Sequence, residues 1–366
     1  MLERLFHLVR GRSDLVNLLL LSALLLVVMP LVLDTFRLNL AGKYLTFAFV
    51  AVGLVLCWGY GGILSLGQGI FFGLGGYLIA MFLKLESSGS ALPDFMEWNS
   101  LESLPAFWQP FHSFTFTVLA IFVVPTLLAW VIGAAMFKRR VGGVYFAIIT
   151  QALAWILSIL FIGQQGLTGG INGITNFNTL LGWDMYSESA KITLYYVNAL
   201  LLIAVLLVGR FILRSRLGKL LVALRDKEDR VRFSGYDVSN FKIFVFCVAA
   251  TFSAIGGAMF TLQVGLISPS LMGIVPSIEM VVFAAVGGRY SLIGAVYGTL
   301  LVNYGKTFLS ENFPELWLYF MGALFIAVVM VFPNGLAGLV DKVRQYLQSR
   351  RAGSAAAPAV TKEAQG

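Results

Sequence analysis

The sequence predicts an all-α polytopic membrane protein. It reads as a transmembrane bundle of about ten spans, both termini cytoplasmic, with a cytoplasmic polar helix between two of them. Three observations predict this. Of 366 residues, 58% are hydrophobic and 12% charged, and the mean hydropathy is +0.85, too apolar for a soluble domain. Runs of about 18 or more nearly uncharged residues recur, each long enough to cross a hydrocarbon core of about 30 Å. Lys and Arg are also strongly biased to one side of the resulting bundle.

Taken in order, Met1–Arg12 is basic and precedes the apolar run Leu15–Leu33. That run is longer than a signal-peptide core and ends without a small-residue cleavage site, so it reads as a retained first span. Spans then follow at 44–60, 65–83, 114–136, 142–162, 192–212, 241–265, 274–287, 290–308 and 316–333. With both ends inside, 21 of the 26 Lys/Arg are cytoplasmic; Arg37, Lys43, Lys84, Lys191 and Lys306 lie outside. The net charge of +8 follows from this bias and gives no reason to invoke nucleic acid. Three regions result: a basic cytoplasmic N-terminus at 1–14, a transmembrane domain at 15–340 and a cytoplasmic tail at 341–366. The tail starts as an amphipathic surface helix and ends in low-complexity sequence read as disordered.

Two outside loops are long. In Lys84–Ser113 the aromatics Trp98, Phe107 and Trp108 fit an interfacial belt better than a binding surface. Gly163–Ala190 is rich in Gly and Asn and reads as turns that line an outer vestibule or cap the bundle.

The one long polar segment is 210–242, with nine Lys/Arg and four Asp/Glu. Leu217, Leu220, Leu221 and Leu224 recur at helical spacing, with charges on the other face. Gly235 ends the pattern, and Asp237–Asn240 offers caps for the next span. The exposed face offers Arg225, Asp226, Glu228, Asp229 and Arg232. Two readings stand: a solvated loop resting on lipid headgroups, or a docking element for a soluble partner. Spacing leaves open whether the leucines pack on the membrane domain or in a partner's cleft.

No catalytic constellation is present. His7 and His112 sit near membrane ends, and Cys57 and Cys247 lie in apolar runs, where they read as small buried residues. Gly305-Lys306-Thr307 lacks the earlier glycine of a phosphate loop, and Gly67, Gly69 and Gly73 lie inside a hydrophobic span. Gly61–Leu66 and Gly287–Leu292 share the pattern GGxxSL at two cytoplasmic turns. As an internal repeat, such glycine-interrupted segments point to a substrate path. Glu279 is the only acid inside an expected span; at that depth it must face protein or water, as a pathway group or as a structural carboxylate. Ser65, Gln68, Gln151 and Asn303 are further pathway candidates, each equally able to bind helices together.

These motifs together resemble a family. LGKLLVALRDKEDRVRFSGYDVSNFK looks like the cytoplasmic coupling segment of branched-chain amino acid type ABC importer permeases. WGYGGILSLGQGIFFGLGGY at Trp58–Tyr77, TGGINGIT at Thr168–Thr175, Ser277–Phe308 and FPNGLAGL at Phe332–Leu339 extend the likeness over about 44–340. Within it, ALRDKEDRVRFSGYD, VNYGKTF and the loop LPDFMEWNSLESLPAFW are more similar to urea transporter permeases. Many ABC importers carry Glu-Ala-Ala before the coupling glycine; here Glu228-Asp229-Arg230 stands upstream of Gly235.

The resemblance implies a subunit that performs no chemistry itself, in a bacterial inner membrane. Its partners would be a second permease subunit, two cytoplasmic ATPase subunits and a periplasmic solute-binding protein. It would bind no cofactor, ATP and Mg belonging to the ATPases. Leu217, Leu221, Arg225, Asp226, Glu228, Asp229, Arg230 and Gly235 would form the coupling surface. Urea is the cargo that the closer likeness implies, and the scarcity of intramembrane charge favours such a neutral solute, since charged amino acid ends call for opposite charges or half-helix ends at the midplane. Branched-chain amino acids or related amides are the alternative. A secondary transporter or channel acting alone, with Glu279 carrying a proton, is the rival class.

Overall fold

The computed structural model describes residues 15–316, with isolated positions beyond. The N-terminal region 1–14, nearly all of the expected span 316–333 and the tail 341–366 lie outside the described residues. Among the described residues, seven helices are long and apolar enough to cross a membrane: α1 (Leu15–Val32), α2 (Thr35–Tyr60), α3 (Gln68–Ser88), α4 (Phe114–Phe137), α5 (Gly143–Gly163), α6 (Glu188–Arg214) and α8 (Val238–Val264). Between α6 and α8 runs the polar helix α7 (Arg216–Phe233). The last two, α9 (Ile274–Gly287) and α10 (Leu292–Asn312), form a pair bent by 119°. The helical membrane bundle expected from sequence is therefore what the chain forms.

The expectation of ten independent spans needs correction. α9 has 14 residues, about 21 Å at 1.5 Å per residue, too short to cross alone. Its apolar run looked like a span because hydropathy does not show where a helix starts. α2 also starts nine residues before the expected 44, because Arg37, Asn39 and Lys43 read as loop. Packing overrides that polarity: Asn198 donates to the Gly42 carbonyl at 2.7 Å, and Gln263 bonds Asn39.

α2, α3 and α8 form the centre. Their most apolar stretches are 83%, 94% and 78% buried, against 17% to 39% for α1, α4, α5 and α6. The outer helices thus present their apolar faces outward, as lipid contact requires. α3 and α8 approach almost backbone to backbone. A β-carbon on Gly75 would meet the Ala254 carbonyl oxygen at 2.0 Å, and one on Gly257 the Phe72 oxygen at 1.7 Å. Small residues permit this contact, where dispersion replaces the missing hydrophobic drive between helices.

The two outer loops cap the bundle together. Lys84 is buried and donates to Asp94 at 2.9 Å and to the Thr175 carbonyl at 3.1 Å. Glu86 accepts from Leu181 and Gly182 N–H in the turn of a two-stranded hairpin, Thr179–Leu180 against Trp183–Asp184. The interfacial-belt reading holds only in part. Trp98 and Phe107 are exposed, but Trp108 and Phe111 are buried, and the Trp108 indole donates to the Leu167 carbonyl.

Candidate functional site

At the end of the bundle that carries α7, three pieces meet. α2 ends in a π-helical turn, Val55–Tyr60, and runs into Gly61–Gly62. α9 ends at Gly287, and Gly288–Ser291 turns the chain into α10. The second glycine of each GGxxSL copy has a left-handed φ, +69° at Gly62 and +114° at Gly288, a backbone state that a branched side chain resists. The copies then diverge. Ser291 caps α10 at once, its hydroxyl oxygen accepting from the Gly294 N–H, whereas residues 62–67 run irregularly before α3 begins. The two turns touch. A β-carbon on Gly59 would lie 1.7 Å from the Arg289 oxygen, and the Tyr60 hydroxyl donates to the Tyr290 carbonyl at 2.8 Å.

Arg225 of α7 joins both turns. Its guanidinium donates to the Gly59 carbonyl at 2.9 Å and lies 5.0 Å from the centre of the Tyr290 ring. Leu221, Leu224 and Val231 are buried and Leu217 half-buried against the membrane domain, which resolves the question that spacing left open. Arg225 and Glu228 differ from the expected exposed face. Both are partly buried, and Glu228 accepts from Lys242 at 2.6 Å and Arg232 at 2.9 Å. Asp226, Asp229, Arg230 and Gly235 remain exposed. α7 is not one smooth helix: Lys227 sits at φ −150°, ψ 77° and breaks it. Gly235, at φ +86°, follows its end as expected, and Asp237 caps α8 by accepting from the Ser239 N–H. A cleft of about 380 Å³ opens beside Arg225, Glu228 and Lys242, against Gly61, Gly62 and Gly142.

Deeper in the bundle, two irregular segments approach each other. Residues 62–67 lead to the start of α3, where the Leu66 N–H donates to the Thr150 hydroxyl of α5 at 3.1 Å. Residues 265–273 lead from the outer end of α8 to the start of α9. Ile174 and Ile267 pair there as an antiparallel bridge, and the Ser158 hydroxyl of α5 donates to the Pro269 carbonyl at 2.9 Å. Gln68, first residue of α3, accepts from the Ser253 hydroxyl. Ser253 lies about 22 Å along α8 from the end next to α7, at 1.5 Å per residue. Two helices therefore begin near the middle of the bundle, and their starts face each other: Ser277 Oγ lies 2.5 Å from where a β-carbon on Gly69 would be. Irregular backbone at this depth is tolerated only when shielded by protein or lining a cavity.

The expected pathway residues fall into different settings. Gln68 is at this junction, and Ser65 is buried just before it, accepting weakly from the Gly67 N–H at 3.4 Å. Gln151 is half-buried on α5, next to Thr150. Asn303 is buried and donates to the Thr299 carbonyl of its own helix. Glu279 is held by Lys306, whose ammonium lies 2.9 Å from both carboxylate oxygens. Sequence reasoning missed Thr150, Ser158 and Ser277. Each is a lone hydroxyl in an apolar run, the one signal available, and a frequent one in membrane helices. It also missed Phe233, 91% exposed beside the charged face.

Comparison with known proteins adds the following. The family described as "Branched-chain amino acid transport system / permease component" matches residues 36–329. The high-affinity branched-chain amino acid transport system permease protein LivM of Salmonella typhimurium (strain LT2) is 25% identical over 343 residues, covering 87% of this chain and 74% of LivM. LivM of Escherichia coli (strain K12) is 25% identical over 85% of this chain and 72% of its own length. BraD of Pseudomonas aeruginosa, a permease protein of the same description, is 22% identical over 81% of this chain and 94% of its own. No solved structure matches.

Proposed function

This chain belongs to the permease components of branched-chain amino acid transport systems, and from that premise we propose that it is the membrane-spanning subunit of an ATP-driven importer of branched-chain amino acids in a bacterial inner membrane. The partners are a second permease subunit, two cytoplasmic ATPases that bind ATP and Mg, and a periplasmic solute-binding protein. The observation that carries the coupling role is the position of Arg225. One side chain on the polar helix touches both turns from which the interrupted segments rise. A displacement of α7 by an ATPase then moves the foot of α9 and the lead into α3 together. The exposed Asp226, Asp229, Arg230 and Phe233 are the surface that an ATPase meets.

Two facts support an amino acid over urea as cargo. LivM and BraD are named for branched-chain amino acids. Two uncapped helix starts lie together inside the bundle, the kind of ends that a zwitterion calls for, so scarce intramembrane charge no longer favours a neutral solute. The test is uptake by the complete importer in proteoliposomes, with labelled leucine and labelled urea as competing cargoes. Leucine uptake that depends on ATP and on the cognate binding protein is expected. Uptake of urea alone overturns the cargo, and uptake without the ATPases overturns the importer class.

A further inference from the structure

We propose that the facing amino-terminal ends of α3 and α9 form a cradle for the carboxylate of the transported solute, enclosed near the middle of the bilayer; the inference rests on the amino-acid reading above. A helix start carries roughly half a positive charge and N–H groups without intrahelical partners. Two such ends meet here, and neither is capped by a side chain: Gly67 and Gly273 occupy the capping positions.

A second observation is independent of the helix ends. Gln68 and Ser277 are both 0% exposed, yet Gln68 Nε2 and Ser277 Oγ have no hydrogen-bond partner among the described residues. The Gln68 oxygen is already taken by the Ser253 hydroxyl at 2.9 Å, which leaves the amide's donor side for a ligand. Ser277 Oγ is aimed from α9 at the first turn of α3, 2.5 Å from the β-carbon position of Gly69. Buried donors without partners are rare in folded proteins. Two of them, one on the first residue of α3 and one in the first turn of α9, lie at the two helix starts, where the dipoles also favour negative charge.

The same spot offers acceptors for the other end of a zwitterion. The Leu271 and Met272 carbonyl oxygens lie 3.0 and 3.2 Å from that Gly69 position, on the irregular segment that leads into α9. Donors for a carboxylate and carbonyls for an ammonium thus sit together, a pairing that urea does not need. Any side chain at position 69 would fill the gap between them. The cradle is closed in this structure. α9 rises from the turn whose Tyr290 lies beside Arg225, so movement of α7 is placed to open it.

The experiment uses the complete importer with its ATPases and binding protein. Gln68→Glu, equal in size to the native residue, installs a permanent carboxylate in the cradle. Ser277→Asp does the same, with Ser277→Asn as its neutral control of equal size. A carboxylate that belongs there leaves the complex assembled and melting within about 3 °C of its neutral counterpart, while leucine uptake falls at least about 10-fold, the worth of one charge-assisted hydrogen bond. Gln68→Leu and Ser277→Ala are expected to assemble and hydrolyse ATP normally, with uptake per ATP reduced about 10-fold on the same basis. Carboxylate variants melting far below their neutral counterparts overturn the proposal, as does full leucine uptake in Gln68→Leu and Ser277→Ala. If Ser277→Asn itself fails to assemble, Gln68→Glu against the native chain decides. Should the native importer move urea and not leucine, the amino-acid reading falls, while the melting comparison still reports whether the cradle prefers an anion.

Discussion

Arg225 contributes one hydrogen bond to the Gly59 carbonyl and one cation–ring contact with Tyr290. A hydrogen bond from a charged group and an exposed cation–π contact together stabilise docking by about 2–3 kcal/mol. Arg225→Ala should therefore leave insertion and assembly intact while loosening α7 from both turns. The expected result is lower uptake per ATP hydrolysed, measured with loaded binding protein in reconstituted complex; an unchanged ratio would show that the contact transmits nothing. Arg225→Lys should recover only part of the loss, since a lysine lacks the planar fork and stacking area. Glu279 behaves differently because its charge is already answered by Lys306, with side-chain exposures of 18% and 32%. Removing one member of a buried pair costs about 3–5 kcal/mol, and partial exposure lowers that figure. Glu279→Leu should reduce assembled complex and uptake in proportion, and Glu279→Leu with Lys306→Met should restore assembly. Assembly that stays normal while uptake is lost would make Glu279 a pathway group instead.

At the scale of elements, α7 is broken at Lys227. The first part buries Leu221 and Leu224; the second is anchored by buried Val231 and by Glu228 on Lys242 and ends in exposed Phe233, with Gly235 just beyond. At Gly235 a β-carbon would meet nothing within 4 Å, but φ is +86°, so Gly235→Val acts through backbone strain alone, about 1–3 kcal/mol. The expected phenotype is normal insertion with ATP hydrolysis no longer stimulated by the loaded binding protein; normal stimulation would reduce α7 to a passive surface element. Asp229, 85% exposed in its side chain, contributes about 0–1 kcal/mol in any surface pair. Asp229→Lys should therefore be milder than Phe233→Ala, which removes an exposed aromatic suited to a partner's pocket. The glycine turns give an independent check. Gly62→Val and Gly288→Val both place a branched residue at positive φ, so both should impair uptake. Damage from only one would show that the shared pattern has no shared role.

At the scale of the whole molecule, contact between α7 and both glycine turns puts these three pieces on one side. The positive-inside bias predicts that this side is cytoplasmic. In a chain with both native cysteines replaced, Ser100→Cys and Ser189→Cys should react with an impermeant reagent from the periplasm, and Ser215→Cys and Ser234→Cys should not. Labelling of Ser215→Cys from outside would invert the topology. The sequence by itself determined the helical membrane class, the stop of the polar helical pattern before Gly235 and the family, and it predicts the side on which the polar segment lies. Each follows from a local or summed property: apolar run length, the count of basic residues per loop, a glycine after a helical pattern, contiguous motifs. It also singled out Gln68 and the two GGxxSL turns, because polar and glycine residues are conspicuous in an apolar background. Only the tertiary structure decided that α9 is too short to cross alone, that Arg225 turns inward, that Glu279 meets Lys306 27 residues away, and that Ser277 approaches Gly69 where two helices start. Those facts depend on which segments, far apart in sequence, approach within hydrogen-bonding distance. A hydropathy pattern records how much apolar surface a segment carries, and not which neighbour will cover it.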